Sequence, residues 1–250
     1  MTQETGSAAR TRVAIVTGAS GGIGRAVAER LAAGGMSVVV HYSGSQDRAG
    51  EVVEAITTAG GTATAVRADV ADETAVASLF DQTEQAFGGV DVVVHAAGIM
   101  LLAPVAEMAL ADFDRMARTN VRGTFVVSQQ AARRLRPGGA LVNVSTSVTR
   151  LQQPTYAAYA ASKGAVEAMT LVLARELRGK DLTVNAVAPG PTATPLFFDG
   201  KPQAVVDHIA SLAPLERLGT PEDIAEAVAF LAGPARWVNG QVLFVNGGIA

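Results

Sequence analysis

Short runs of apolar, mostly β-branched residues recur along the chain. They alternate with longer stretches whose apolar positions repeat every three to four residues. The runs lie at 13–16, 38–40, 62–66, 90–94, 140–144, 182–187 and 241–245. The longer stretches lie at 22–33, 46–59, 73–87, 109–135, 155–178 and 221–232. A run that is apolar at nearly every position predicts a strand covered on both faces, as in parallel sheets. Regular alternation of strand and helix, with right-handed crossovers, predicts an α/β fold: a doubly wound parallel sheet of seven strands with helices on both faces. The last helix has a written start, with Thr220 as N-cap, Pro221 in the first helical position, and Glu222 and Asp223 in the first turn.

One stretch breaks this rhythm. Between Pro189 and Leu218 stand Pro191, Pro195, Pro202 and Pro214, with Leu196, Phe197 and Phe198 among them. That is too long for an ordinary connection between helix and strand. It predicts a substrate loop or lid at about 190–218, the alternative being a surface excursion packed on its own domain. Residues 1–10 are polar and predict a disordered tail, followed by a single domain over 11–250. No internal repeat or low-complexity linker divides the chain.

Composition narrows the partners. The chain has 250 residues, 49% hydrophobic and 17% charged, which suits a folded globular protein rather than a disordered one. A net charge of −3 gives no reason to expect nucleic acid or an anionic membrane as partner. With no cysteine, disulfides, thiol nucleophiles and thiolate metal sites are excluded, and the three histidines show no metal-ligand spacing. The N-terminus lacks the apolar core of a signal peptide, and no stretch reaches the ~18 apolar residues a membrane span needs. These features predict a soluble, cytoplasmic protein without a metal site.

Three patterns carry chemistry. Thr17-Gly-Ala-Ser-Gly-Gly-Ile-Gly24 joins the first strand to the first helix. Glycines let the backbone approach a ligand closely, and a helix N-terminus offers N–H groups and partial positive charge to a phosphate. In Tyr159-Ala-Ala-Ser-Lys163, two residues four apart share a helix face. A nearby ammonium lowers a phenol's pKa and fits it for general acid or base work. Asn143-Val-Ser-Thr-Ser147 places hydroxyls at the carboxyl end of a strand, where parallel α/β sheets bind ligands.

Together with Asp69, Ala96-Ala-Gly98, Asn120 and Pro189-Gly190, these patterns resemble the short-chain dehydrogenase/reductases, in family order and over nearly the whole chain. Within that family the chain is most similar to 3-oxoacyl-thioester reductases and related bacterial carbonyl reductases. The resemblance implies a Rossmann-type fold and an NAD(P)(H)-dependent oxidoreductase that interconverts a carbonyl and an alcohol by hydride transfer. It implies Tyr159 as the acid, Lys163 as the residue that lowers its pKa and holds the nicotinamide ribose, and Asn120 as holder of a proton-relaying water. The family's serine, thirteen residues before the tyrosine, falls on Thr146 here, with Ser145 and Ser147 as flanking alternatives. His95 stands where the family has asparagine, and is expected to be structural.

The resemblance also implies the cofactor contacts. Gly18, Ser20, Gly22, Ile23 and Gly24 line the pyrophosphate, Asp69 and Val70 meet the adenine, and Ala96, Ala97 and Gly98 flank the ribose. Pro189, Gly190, Thr192 and Thr194 meet the carboxamide. Tyr42 and Ser43 end the second strand. An NAD-binding acid is missing there, and Ser43, Ser45 and Arg48 suit a 2′-phosphate. NADP(H) is therefore favoured, although Gly21 stands where many NADPH users carry arginine, which leaves NAD(H) possible. An apolar pocket is expected from Met100, Leu101, Leu102, Leu151, Leu196, Phe197 and Phe198, with Arg150 as a solvated loop charge. Small residues on the 155–178 helix, and the segment from Trp237 to Val245, point to a homotetramer. The competing readings are a catalytically silent nucleotide sensor or scaffold, and a non-redox enzyme on the same fold.

Overall fold

In the computed structural model, which describes residues 10–250, all seven apolar runs are strands. They are β1 (Val13–Thr17), β2 (Ser37–Tyr42), β3 (Thr62–Arg67), β4 (Val90–His95), β5 (Leu135–Val144), β6 (Thr183–Pro189) and β7 (Val242–Val245). They form one parallel sheet in the order β3-β2-β1-β4-β5-β6-β7. The order reverses between β1 and β4, so a crevice opens at their carboxyl ends. The helices are α1 (Gly22–Ala33), α2 (Gln46–Thr58), α3 (Glu73–Phe87), α4 (Leu110–Met116), α5 (Gly123–Arg134), the single turn α6 (Val148–Leu151), α7 (Ala157–Glu176), the single turn α8 (Pro195–Phe198), α9 (Gln203–Ser211) and α10 (Pro221–Ala232).

Strand side chains alternate between the two faces. Ala14, Val16, Val38, Val40, Val92 and Val94 pack under α1, α2 and α10. Ile15, Val39, Val93 and Leu141 pack on the other face, against α3, α5 and α7. Only the interior strands are covered on both sides. In β3 just Val66 is buried, and β7 is half-exposed, because each is an edge of the sheet. The cap of α10 is the expected one: Thr220 and Asp223 form a capping box with Pro221 in the first turn.

Two expectations need correction. The helix expected over 109–135 is interrupted by a π-helical segment, Ala117–Arg122, between α4 and α5. The extra residue per turn in such a segment changes which side chains face the sheet, and here it buries Asn120. Strand β5 begins at Leu135, before Pro137-Gly138-Gly139, and its register against β4 shifts between Val90 and Val92. The stretch after β6 carries the short helices α8 and α9. The tail expected at 1–10 falls outside the described residues except for Arg10, which is anchored. Its guanidinium donates to the buried Asp91 carboxylate at 3.0 Å. Asp91 also accepts from Val13 N at 2.7 Å and from Arg136, tying the start of β1 to β4 and β5.

Candidate active site

The turn after β1 packs backbone against backbone. Gly18 and Gly22 have φ of 68° and 53°, in the left-handed region that favours glycine. A Cβ on Gly18 would stand 2.9 Å from Ala97 Cα, and one on Gly24 only 2.3 Å from Gly18 O. Helix α1 has no side-chain cap at Gly21. Its first N–H groups are therefore left for an anion in the crevice.

Two buried histidines fix this turn from behind. His41 Nδ1 accepts from Gly18 N at 3.2 Å while its Nε2 donates to Ala68 O at 3.1 Å, which sets the tautomer. His95, at the end of β4, is hydrogen-bonded through Nδ1 to Thr17 Oγ1 at 2.8 Å, and Thr17 Oγ1 accepts from Ala97 N at 3.2 Å. Burial pushes His41 down to about 4 and His95 down to about 3, the Lys163 ammonium adding to the latter. Both rings are neutral at physiological pH.

The crevice widens into a cleft of about 370 Å³. It brings together the glycine turn, Ile23, Ala96–Gly98, the chain from Pro189 to Phe197, and Thr146, Tyr159 and Lys163. Tyr159 and Lys163 sit one turn apart on α7, as their spacing predicts. Lys163 Nζ is buried and donates to Val144 O at 2.7 Å. The three hydroxyls after Asn143 go to different partners. Thr146 lines the cleft together with Tyr159, and its hydroxyl acts against the rise of the phenol's pKa. Ser145 donates to Glu167 at 2.6 Å, and Ser147 donates to Ala188 O at 3.1 Å. The phenol is thus faced by Thr146, with both alternatives already committed elsewhere.

Burial dominates the titration here. Desolvation, with Tyr156 adding, pushes Tyr159 up to about 12 against the opposing Thr146 hydroxyl, and lowers Lys163 to about 8. In the ligand-free chain, removal from water is the first cause of both shifts, so the tyrosine rises and the lysine falls.

The π segment sets Asn120 behind the cleft rather than in its lining. Its Oδ1 accepts from Ile99 N at 2.9 Å, and its Nδ2 donates to Ile99 O at 2.9 Å and to Ser162 Oγ at 3.0 Å. Both ends of the side chain clamp the strand exit to α7. A Cβ on Gly98 would lie 3.2 Å from Asn120 Oδ1 and 3.4 Å from Lys163 Nζ, so all three residues meet there.

Several expected contacts are placed differently. Ser20, Tyr42, Ser43, Asp69 and Val70 lie outside the cleft lining. The Tyr42 side chain is buried in the core beneath α1 and α2, so Ser43 is the exposed residue at the end of β2. Val70 packs on Gly123, and only its backbone is left for a ligand. Asp69 accepts from Ala71 N and pairs with Arg118 at 2.8 Å. Thr192 donates to Gly190 O, and Thr194 caps α8.

Toward the substrate end, Met100, Leu151, Leu196 and Phe197 line the cleft, whereas Leu101, Leu102 and Phe198 do not. Gln153 and Ile209 line it too, as does Tyr156, which its place three residues before Tyr159 marks as pocket wall. Arg150 is exposed, and its guanidinium lies over the Phe244 ring, 3.6 Å from the centroid. Glu167 and Arg118 had no distinguishing mark in sequence. Glu167 lies four residues after Lys163, but an acid on a helix surface is an ordinary pattern.

Comparison with known proteins gives a consistent picture. The family model described as enoyl-(acyl carrier protein) reductase matches residues 18–250. A short-chain type dehydrogenase/reductase of Picea abies is 46% identical over 248 residues, covering 95% of this chain and 92% of that protein. An NADPH-dependent aldehyde reductase-like protein of Arabidopsis thaliana is 43% identical, covering 95% and 93%. A solved structure of a short chain dehydrogenase from Burkholderia cenocepacia in complex with NADP is 39% identical with a TM-score of 0.90, covering 96% and 98%.

The depressed Lys163 pKa has a consequence for stability. Its folded value of about 8 lies below the ordinary 10.5, so folding disfavours the ammonium. The cost is fully present below pH 8 and fades as pH rises toward 10.5. Lys163→Met is expected to stabilise the ligand-free protein at pH 7 by about 1–3 kcal/mol. Urea unfolding at pH 7 and pH 9.5 checks this. The gain should shrink at the higher pH, and a gain equal at both would contradict the burial cost.

Proposed function

The chain belongs to the short-chain dehydrogenase/reductase family, and on that premise we propose that it is an NADP(H)-dependent cytoplasmic reductase of a ketone or 3-oxoacyl-type carbonyl with a neutral, apolar body. The observation that carries this reading is the Thr146–Tyr159–Lys163 group at the floor of the cleft, beside the glycine turn. Between that turn and Ala97 there is no room for a side chain, which is the fit a pyrophosphate-binding backbone needs. The substrate end offers apolar walls and no carboxylate.

When bound, the dihydronicotinamide supplies the hydride. The residues manage the proton. Tyr159 is neutral at pH 7 because burial holds its pKa high, so it meets the carbonyl as a protonated acid and gives its hydroxyl proton to the substrate oxygen. Thr146 donates a second hydrogen bond to that oxygen, and its contact with Tyr159 sets the two donors side by side. Lys163, fixed by Val144 O, opposes the phenolate charge left after transfer. Asn120 holds Ile99 and Ser162 in place and serves the relay that returns a proton to Lys163.

The remaining cofactor contacts come from the cleft lining and, for Ser20, Asp69 and Val70, from beside it. Gly18, Ser20, Gly22, Ile23 and Gly24 take the pyrophosphate, and Ala96, Ala97 and Gly98 the ribose. Asp69 and the Val70 backbone take the adenine, and Pro189, Gly190, Thr192 and Thr194 the carboxamide. The stretch around α8 and α9 is the lid, with Leu196, Phe197 and Ile209 closing over the substrate. A homotetramer covers the apolar residues left exposed on two faces: Phe125, Leu171 and Val172 on α5 and α7, and Trp237 and Leu243 beside the unpaired edge of β7.

Tyr159→Phe is expected to abolish carbonyl reduction while NADPH binding, followed by cofactor fluorescence, persists. Turnover near wild type would remove Tyr159 as the acid. Thr146→Ala is expected to lower kcat/KM by about 10- to 100-fold, the worth of one hydrogen bond in an enclosed site. A larger loss in Ser145→Ala or Ser147→Ala would move that role to the flanking serine. Light scattering at micromolar concentration should give the mass of four chains, and a monomer would refute the assembly.

A further inference from the structure

An exposed cation, Arg67, ends β3 beside the loop that follows β2. Resting on the NADP(H) reading above, we propose that Arg67, at the end of β3, joins Arg48 of α2 in gripping the cofactor's 2′-phosphate. It takes the place of a basic residue beside the pyrophosphate. At that pyrophosphate position stands Gly21, which has open space around it and no side chain to offer charge.

The register of β2 with β3 sets Arg67 opposite Tyr42, one residue before Ser43. Arg67 Nε donates to Ser43 O at 3.3 Å. That bond orients the guanidinium at the loop that follows β2 and leaves its two terminal nitrogens unpartnered among the described residues. Arg48 lines the cleft beside Gly21 and Gly22. Ser45 accepts from Arg48 N at 3.3 Å to cap α2, which keeps the Ser45 hydroxyl proton free to donate.

Charge pairing on this rim is selective. Arg118 is paired with Asp69 and Arg122 with Glu73, whereas neither Arg48 nor Arg67 has a carboxylate partner among the described residues. Asp47, in the first turn of α2, does not line the cleft. Two unpaired guanidiniums therefore flank the Ser43–Ser45 loop, where an enzyme selecting NAD would need an acid. A planar guanidinium with a pair of free N–H edges bonds a phosphate bidentately, and charge-assisted bonds of this kind are the strong ones.

Calorimetric titration of the full chain with 2′,5′-ADP and with 5′-AMP tests this without turnover. Wild type should bind 2′,5′-ADP at least about tenfold more tightly than 5′-AMP. Arg67→Ala should cut that ratio about tenfold by weakening 2′,5′-ADP alone, with Arg67→Lys in between because it keeps charge but loses the fork. An unchanged ratio in Arg67→Ala overturns the proposal. So does equal weakening of both ligands, which would make Arg67 only a prop for the Ser43 loop. A wild type that does not distinguish the two ligands would instead remove the NADP(H) reading itself.

Discussion

Backbone contact without side chains at the end of β1 is the constraint on which the rest of the site depends. Gly18 touches Ala97, and Gly24 touches Gly18, at distances that a single Cβ would close. Such contact brings the first helix's unpaired N–H groups to the crevice between β1 and β4. It also requires the two strands to end level with each other. The Thr17–His95 and His41–Gly18 hydrogen bonds secure that level from inside the sheet. Because both rings are held neutral by burial, their bonding pattern does not change near physiological pH.

The chemical end is built on the opposite tendency, the removal of charge-bearing groups from water. Helix α7 carries Tyr159 and Lys163 against β5, and burial raises one pKa and lowers the other. Each shift favours a neutral group in the ligand-free chain. Their acid–base pairing therefore depends on what fills the cleft, and stability is given up for function at Lys163. The clamp of Asn120 on Ile99 and Ser162 joins the two ends, since it fixes the residues after β4 to the helix that carries the acid.

The sheet was legible because each interior strand is apolar on both faces, a pattern with few alternative readings. The starts of α1 and α10 were legible from glycine and from Thr220-Pro221. The π segment was not, because inserting one residue into a turn leaves the apolar periodicity of 109–135 nearly intact. Nor was the early start of β5, hidden behind Pro137-Gly138-Gly139. In the site, Tyr159, Lys163 and the glycine turn stood out by spacing. The choice among Ser145, Thr146 and Ser147 did not, because all three follow the end of β5 and the turn of the chain there decides which meets the tyrosine. Glu167, which draws Ser145 away, acts from another element. Arg67 and Arg118 were invisible for the same reason: each matters through a partner distant in sequence.

The most direct test of hydride transfer at this site uses NADPH carrying deuterium on the transferred position of its nicotinamide C4, with a neutral apolar ketone. Mass spectrometry of the alcohol should show one deuterium on the carbinol carbon, delivered to a single face. An alcohol without the label, or consumption of the ketone with no loss of reduced cofactor, would contradict it.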